Sequence, residues 1–191
     1  MGLFTLEHGK AAYRVDFVVY GAAVVGLAAV LLAEGPASQR FELLALVAAG
    51  LLGWSVVEYG LHRFVLHGLA PFQGWHAQHH RRPTALISTP TLMSAALIAT
   101  LVFAPAWALG GRWAACALTL GLSTGYFAYA ITHHATHHWH ADNAWLRQRK
   151  RWHALHHGQP DEACCFGVTS PFWDHVFGSA RRAAAKARRA P

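Results

Sequence analysis

Histidine is the residue best placed to do chemistry in this sequence: 15 of them occur in 191 residues, and ten stand in four clusters. His62 and His67 form an H-x4-H pair, and His76, His79 and His80 an H-x2-H-H group. His133 and His137 form an H-x3-H pair, and His153, His156 and His157 a second H-x2-H-H group. Neutral imidazole is a ligand for zinc, copper, nickel or iron, and on a helix residues three and four apart share a face. Each H-x2-H-H group is therefore expected to aim its three rings at one point, and His133 and His137 to do likewise. Five residues exceed one turn, so His62 and His67 demand either a local unwinding of the helix or two different metals. One metal takes three or four imidazoles, so the four clusters together predict two metals.

The remaining histidines carry less. His8 and His175 lie outside any cluster and read as interfacial side chains, while His134, His138 and His140 crowd the third cluster. His138 completes an H-x3-H-H pattern, and with His134 it is a candidate ligand or outer neighbour of the metal. Metal-bound histidines usually pass their second N–H to a carboxylate or carbonyl. Glu58, one turn before His62, and Asp174 are the candidates for that role. No side chain reads as a nucleophile, so no catalytic group is expected beyond the metal ligands. Cys116, Cys164 and Cys165 form neither a disulfide framework nor a C-x-x-C pair. Adjacent Cys164 and Cys165 are expected to pack rather than to cycle redox states.

These ligands need elements to hold them, and composition says which. Only 13% of residues are charged and 54% are hydrophobic, whereas a soluble domain carries about a quarter charged residues. Four stretches, at about 15–33, 41–61, 88–109 and 113–132, approach the roughly 20 apolar residues that cross a bilayer. Glu34-Gly35-Pro36 ends the first, Pro90 suits the first turn of the third, and Pro105 should kink or end it. Gly110-Gly111 then makes a tight return. All Lys and Arg except Arg40 and Arg112 fall at the termini or in the two histidine-bearing segments. The positive-inside rule places both termini and those segments in the cytoplasm. The expectation is an all-α, multi-pass membrane protein, with residues 1–191 as a single membrane domain. A cytosolic metal cap is expected over 62–87 and 133–179, and a basic tail over 180–191.

Other readings fit less well. The first apolar stretch is long for a secretory signal and lacks a small-x-small cleavage site. Leu6 stands where a myristoylation motif needs Ser or Thr. The basic tail lacks the aromatic interleaving of a nucleic-acid binder, so no nucleic-acid partner is expected, and the tail suits anionic lipid headgroups. A non-catalytic metal-binding or carrier protein would place polar ligands along its helices, and only Trp54, Ser55 and Ser123 hint at such a path.

The motifs also resemble a known family. Glu58-Tyr59 ahead of His62-Arg63-Phe64-Val65-Leu66-His67, then Gly125-Tyr126 leading to His137-His138, are similar to the fatty acid hydroxylase and sterol desaturase superfamily of membrane di-iron oxygenases. The likeness runs on through Trp152-His153-Ala154-Leu155-His156-His157 and Phe166-Gly167-Val168-Thr169-Ser170-Pro171-Phe172-Trp173-Asp174 to Val176-Phe177-Gly178. It covers about residues 53–179, and within the superfamily fatty acid 2-hydroxylases look most similar. The resemblance implies four transmembrane helices under a cytosolic cap, with the ten clustered histidines holding two iron ions, for which zinc can substitute in purified protein. It also implies O2 as cosubstrate and a membrane lipid as substrate, with hydroxylation at the 2-position of an acyl chain.

The segment from His67 to His76 is shorter than in eukaryotic members and in that respect resembles bacterial carotenoid hydroxylases. A carotenoid or sterol hydroxylase or desaturase is thus the alternative, and a bacterial inner membrane the expected location. No fused cytochrome b5 domain and no haem, flavin or iron–sulfur motif is read in these residues. An external electron donor, a ferredoxin or a cytochrome b5-type carrier with its reductase, is therefore expected. Arg147 to Arg151 can dock such a carrier, although an anchor at the cytoplasmic membrane face is the simpler role.

Overall fold

The computed structural model describes residues 7–158 and 164–180, and the basic stretch Arg181 to Arg189 lies outside them. Among the described residues seven α-helices make up the fold: α1 (Lys10–Glu34), α2 (Arg40–Gly60), α3 (Phe72–Arg81), α4 (Thr91–Ile98), α5 (Ala104–His138), α6 (Ala144–His157) and α7 (Phe172–Val176). The described residues contain no strand, only an isolated bridge between Glu7 and Ile87. The chain divides into two compact units, Met1–Trp54 with Leu86–Phe127, and Ser55–Ala85 with Ala128–Pro191.

The first unit is built from apolar helices. Three continuous helical segments, Lys10–Glu34, Ala37–Leu66 and Thr91–His138, are long and apolar enough to cross a membrane. Their side chains stay largely on the outside: Leu32, Phe41, Leu52, Leu92, Leu101 and Leu109 are all well exposed. A helix apolar on every side, with its large residues outward, needs hydrocarbon rather than water around it. Gly35 ends α1 by returning its N–H to the Leu31 carbonyl, as the Glu34-Gly35-Pro36 breaker predicts.

Within this unit α5 lies against α2 through small residues. A Cβ on Gly121 would run into the Val47 backbone and one on Gly50 into the Leu118 backbone, while at Gly125 it would sit 2.6 Å from Trp54. Such close approach is how helices associate where the hydrophobic effect gives no drive. α1 is tied to α4 by Tyr20 Oη donating to Ser94 Oγ at 2.8 Å, and Tyr20 and Tyr126 rings lie 4.3 Å apart.

Pro105 does not end its helix. The preceding turn, Ala99–Phe103, widens into a π-helix, which accommodates the missing N–H and the ring that would otherwise meet the carbonyl four residues back. The break comes six residues later at Gly111, with φ 75° and ψ −178°. Only glycine visits that region readily, and the non-helical point falls between the third and fourth apolar stretches.

Candidate metal centre

The second unit gathers all ten clustered histidines. His62 and His67 come from the end of α2, where residues Leu61–Leu66 form a π-helix. Its i to i+5 periodicity is the local unwinding that an H-x4-H pair needs, and both rings turn to one centre. α3 supplies His76, His79 and His80, the end of α5 supplies His133 and His137, and α6 supplies His153, His156 and His157.

The rings form two nests. In the first, one ligand nitrogen from each of His62, His67, His76, His80 and His156 lies within 4.8 Å of the others; in the second, the same holds for His79, His133, His137 and His153. The expectation that each H-x2-H-H group points at one place is therefore corrected. On α3, His76 and His80 join the first nest and His79 the second; on α6, His156 joins the first and His153 the second. At about 100° per residue, His79 lies about 60° around the helix from His76 and about 100° from His80, and His153 about 60° from His156, enough to split between two points. His76 and His80, four apart, differ by only about 40° and stay together. His157 lies beside the second nest, its Nε2 3.1 Å from that of His153, with its ring stacked on His80 at 4.2 Å.

Nε2 atoms converge within each nest. His76 is 3.0 Å from both His62 and His80, and His156 is 3.1 Å from both His67 and His80. His79 is 3.1 Å from His133, and His137 is 2.8 Å from His153. Two nitrogens each about 2.1 Å from one ion and at right angles stand about 3.0 Å apart, so the donor set fits a metal in each nest. Burial, with crowding by other imidazoles, drives the charged form out. It holds His67 at about 4, His79 at about 2 and His157 at about 3, and pushes His76, His153 and His156 well below the usual 6.5. Burial alone holds His80 at about 4. At neutral pH each of these rings offers a lone pair.

Behind the rings the support is backbone. His62 Nδ1–H donates to the Phe166 carbonyl at 2.6 Å, and His156 Nδ1–H to the Cys164 carbonyl at 2.8 Å. Glu58 and Asp174 act one layer further out, on the backbone that carries those carbonyls. Asp174 accepts from the N–H of Phe166 (2.9 Å) and Gly167 (2.8 Å), and Glu58 from the N–H of Val168 (2.7 Å) and Thr169 (2.9 Å). His134 and His138 stack on each other at 4.5 Å and belong to neither nest. His8 bonds the Ser88 carbonyl, His140 pairs with Asp142, and His175 lies against Trp152. Cys164 and Cys165 are buried against Trp152 and Leu155.

Sequence reasoning missed the carbonyls of Cys164 and Phe166, because a carbonyl has no residue-type signature. It also missed Tyr129, whose ring lies parallel to His133 at 5.8 Å. Arg149, within the basic stretch expected to face a partner or the membrane, is instead buried.

An all-helical chain with membrane-length apolar helices and two adjoining nests of imidazole defines a class, the histidine-rich membrane proteins with sites for two metals. Residues 47–179 match the model of the family described as Fatty acid hydroxylase, and the chain belongs to that family. It is 33% identical over 148 residues to the ceramide very long chain fatty acid hydroxylase scs7 of Schizosaccharomyces pombe, covering 68% of this chain and 40% of that protein. Against the dihydroceramide fatty acyl 2-hydroxylase FAH2 of Arabidopsis thaliana it is 32% identical, covering 70% of this chain and 60% of the relative. The chain thus spans about half the length of these curated relatives. A solved structure of full-length scs7p, with only the hydroxylase domain visible, superposes with a TM-score of 0.74 at 29% identity, covering 88% of this chain and 66% of that one.

Proposed function

We propose that this chain is a membrane-bound oxidoreductase that hydroxylates a lipid, at the 2-position of a fatty acyl chain, with two iron ions held by the ten clustered histidines. The observation that carries the reading is the convergence of Nε2 atoms into two adjoining nests in a member of the fatty acid hydroxylase family. The overall reaction balances as R–H + O2 + 2 electrons + 2 H⁺ → R–OH + H2O, with the electrons delivered by an external ferredoxin or cytochrome b5-type carrier. Iron, when bound, supplies the oxygen activation that no side chain can. The chain's own residues present neutral donor nitrogens, fix the rings of His62 and His156 through backbone carbonyls, and keep bulk water from His62, His79, His153 and His156 by burial. Exclusion of water limits side reactions and proton leakage at the site.

The same reading takes the apolar helices as four crossings. Thr91–His138 has 48 residues, about 70 Å at 1.5 Å per residue, more than twice the roughly 30 Å of hydrocarbon. The glycine break at Gly111 supports two passes there, and the distribution of Lys and Arg supports both termini and the histidines in the cytoplasm of a bacterial inner membrane.

The test is expression in a host with a competent reductase, comparing lipid extracts by mass spectrometry with those of His153→Ala. A 2-hydroxyacyl species present with the parent and lost with the variant is the expected result. Hydroxylated or desaturated carotenoids or sterols in its place would redirect the substrate. Identical extracts from parent and variant, together with purified protein free of iron, would overturn the oxygenase reading.

A further inference from the structure

The two nests are not supported alike. In the first, both carbonyls that orient His62 and His156 lie on one short segment, residues 164–169. Four successive N–H groups of that segment are held by two carboxylates, Phe166 and Gly167 by Asp174, Val168 and Thr169 by Glu58. The Thr169 hydroxyl also donates to Glu58, and Ser179 Oγ (2.7 Å) and Trp152 Nε1 (3.3 Å) donate to Asp174. Glu58 and Asp174 are both buried, and Arg149, buried too, lies in the field of both. Cys165 sits at φ 60°, a conformation rare outside glycine and kept only where the surroundings over-determine the backbone. In the second nest, the Nδ1 atoms of His79 and His153 are buried and take no hydrogen-bond partner among the described residues.

We propose that segment 164–169, pinned by Glu58 and Asp174, makes the centre unequal, so that the first nest retains its metal while the second exchanges. A ring that donates Nδ1–H to a fixed carbonyl is locked in tautomer and orientation and is the stronger donor at Nε2. His62 and His156 have that support, and His79 and His153 do not. Glu58 and Asp174 are positioning residues, acting on the metal through the strap rather than by contact. The inference rests on the two-metal reading above.

The test uses the full chain in detergent micelles, loaded with zinc and challenged with a chromophoric chelator. Wild type is expected to hold two ions and release them in a fast and a slow phase of equal amplitude. His79→Ala should abolish the fast phase and His67→Ala the slow one. Glu58→Gln, which removes the charge from the acceptor that two N–H groups share and sets an amide NH2 against the Thr169 hydroxyl, should accelerate the slow phase about tenfold or more and leave the fast phase unchanged. Thr169→Val removes a single hydroxyl and should move the same phase in the same direction by less, and it carries the test if Glu58→Gln does not fold. Release in one phase, or either variant accelerating both phases alike or neither, overturns the inference while leaving the metal reading intact. Wild type holding fewer than two ions overturns the metal reading and this inference with it.

Discussion

An imidazole binds a metal through a lone pair, so protons and metal compete for the same nitrogen, and the fold has already taken a side. Burial holds His67 and His80 at about 4 against a usual value of 6.5. The unfolded chain therefore takes up protons near pH 6.5 that the folded chain refuses until near pH 4. Wherever the unfolded state binds more protons, stability rises with pH; falling pH through that window must weaken the metal-free fold. The melting temperature of metal-free protein, followed by circular dichroism, is expected to be flat above about pH 7 and to fall steadily from pH 6.5 toward 4. A flat or rising profile over that window would mean the rings are not buried neutral.

At the scale of elements, spacing on a single helix is readable from sequence, and the facing of one helix by another is not. The convergence of the four clusters was legible because histidine at helical spacing is a signal carried by residue type. The alternative of local unwinding at H-x4-H was legible too, and the π-turn Leu61–Leu66 supplies it. The sharing of each H-x2-H-H group between nests was hidden, because it depends on how α3 and α6 oppose each other. That Pro105 would not end its helix was hidden for a related reason: a wider turn upstream absorbs it, and the non-helical break falls at Gly111. The contact of α2 with α5 at Gly121 leaves no space even for a methyl, since the obstruction is the Val47 backbone and not a movable side chain. Gly121→Ala is expected to destabilise the protein by about 1–3 kcal/mol. Gly26→Ala, with nothing within 4 Å of its Cβ, should be near neutral. Thermal melts in one detergent compare the two, and equal effects would remove the close crossing from the account.

For the molecule as a whole, the division into an apolar unit and a histidine unit turns orientation into a measurable property. Only Arg40 and Arg112 stand beside the short turns, while the remaining Lys and Arg accompany the histidines and termini. Cytoplasmic loops carry the excess of positive charge, and the four crossings proposed above would return the chain to the side on which it began. Ser38, exposed in the turn Ala37–Gln39, and Thr84, exposed after α3, then report opposite faces. The native cysteines interfere little, since Cys164 and Cys165 are buried and Cys116 is partly so. A membrane-impermeant maleimide added to intact cells should label Ser38→Cys, and should label Thr84→Cys only after the membrane is opened. The reverse pattern would put the histidines outside, away from cytoplasmic electron carriers, and labelling of both from outside would mean three crossings or fewer between bulk compartments. The expected pattern requires the electron donor to be a cytoplasmic or membrane-anchored carrier reaching the histidine unit from the side that holds Thr84.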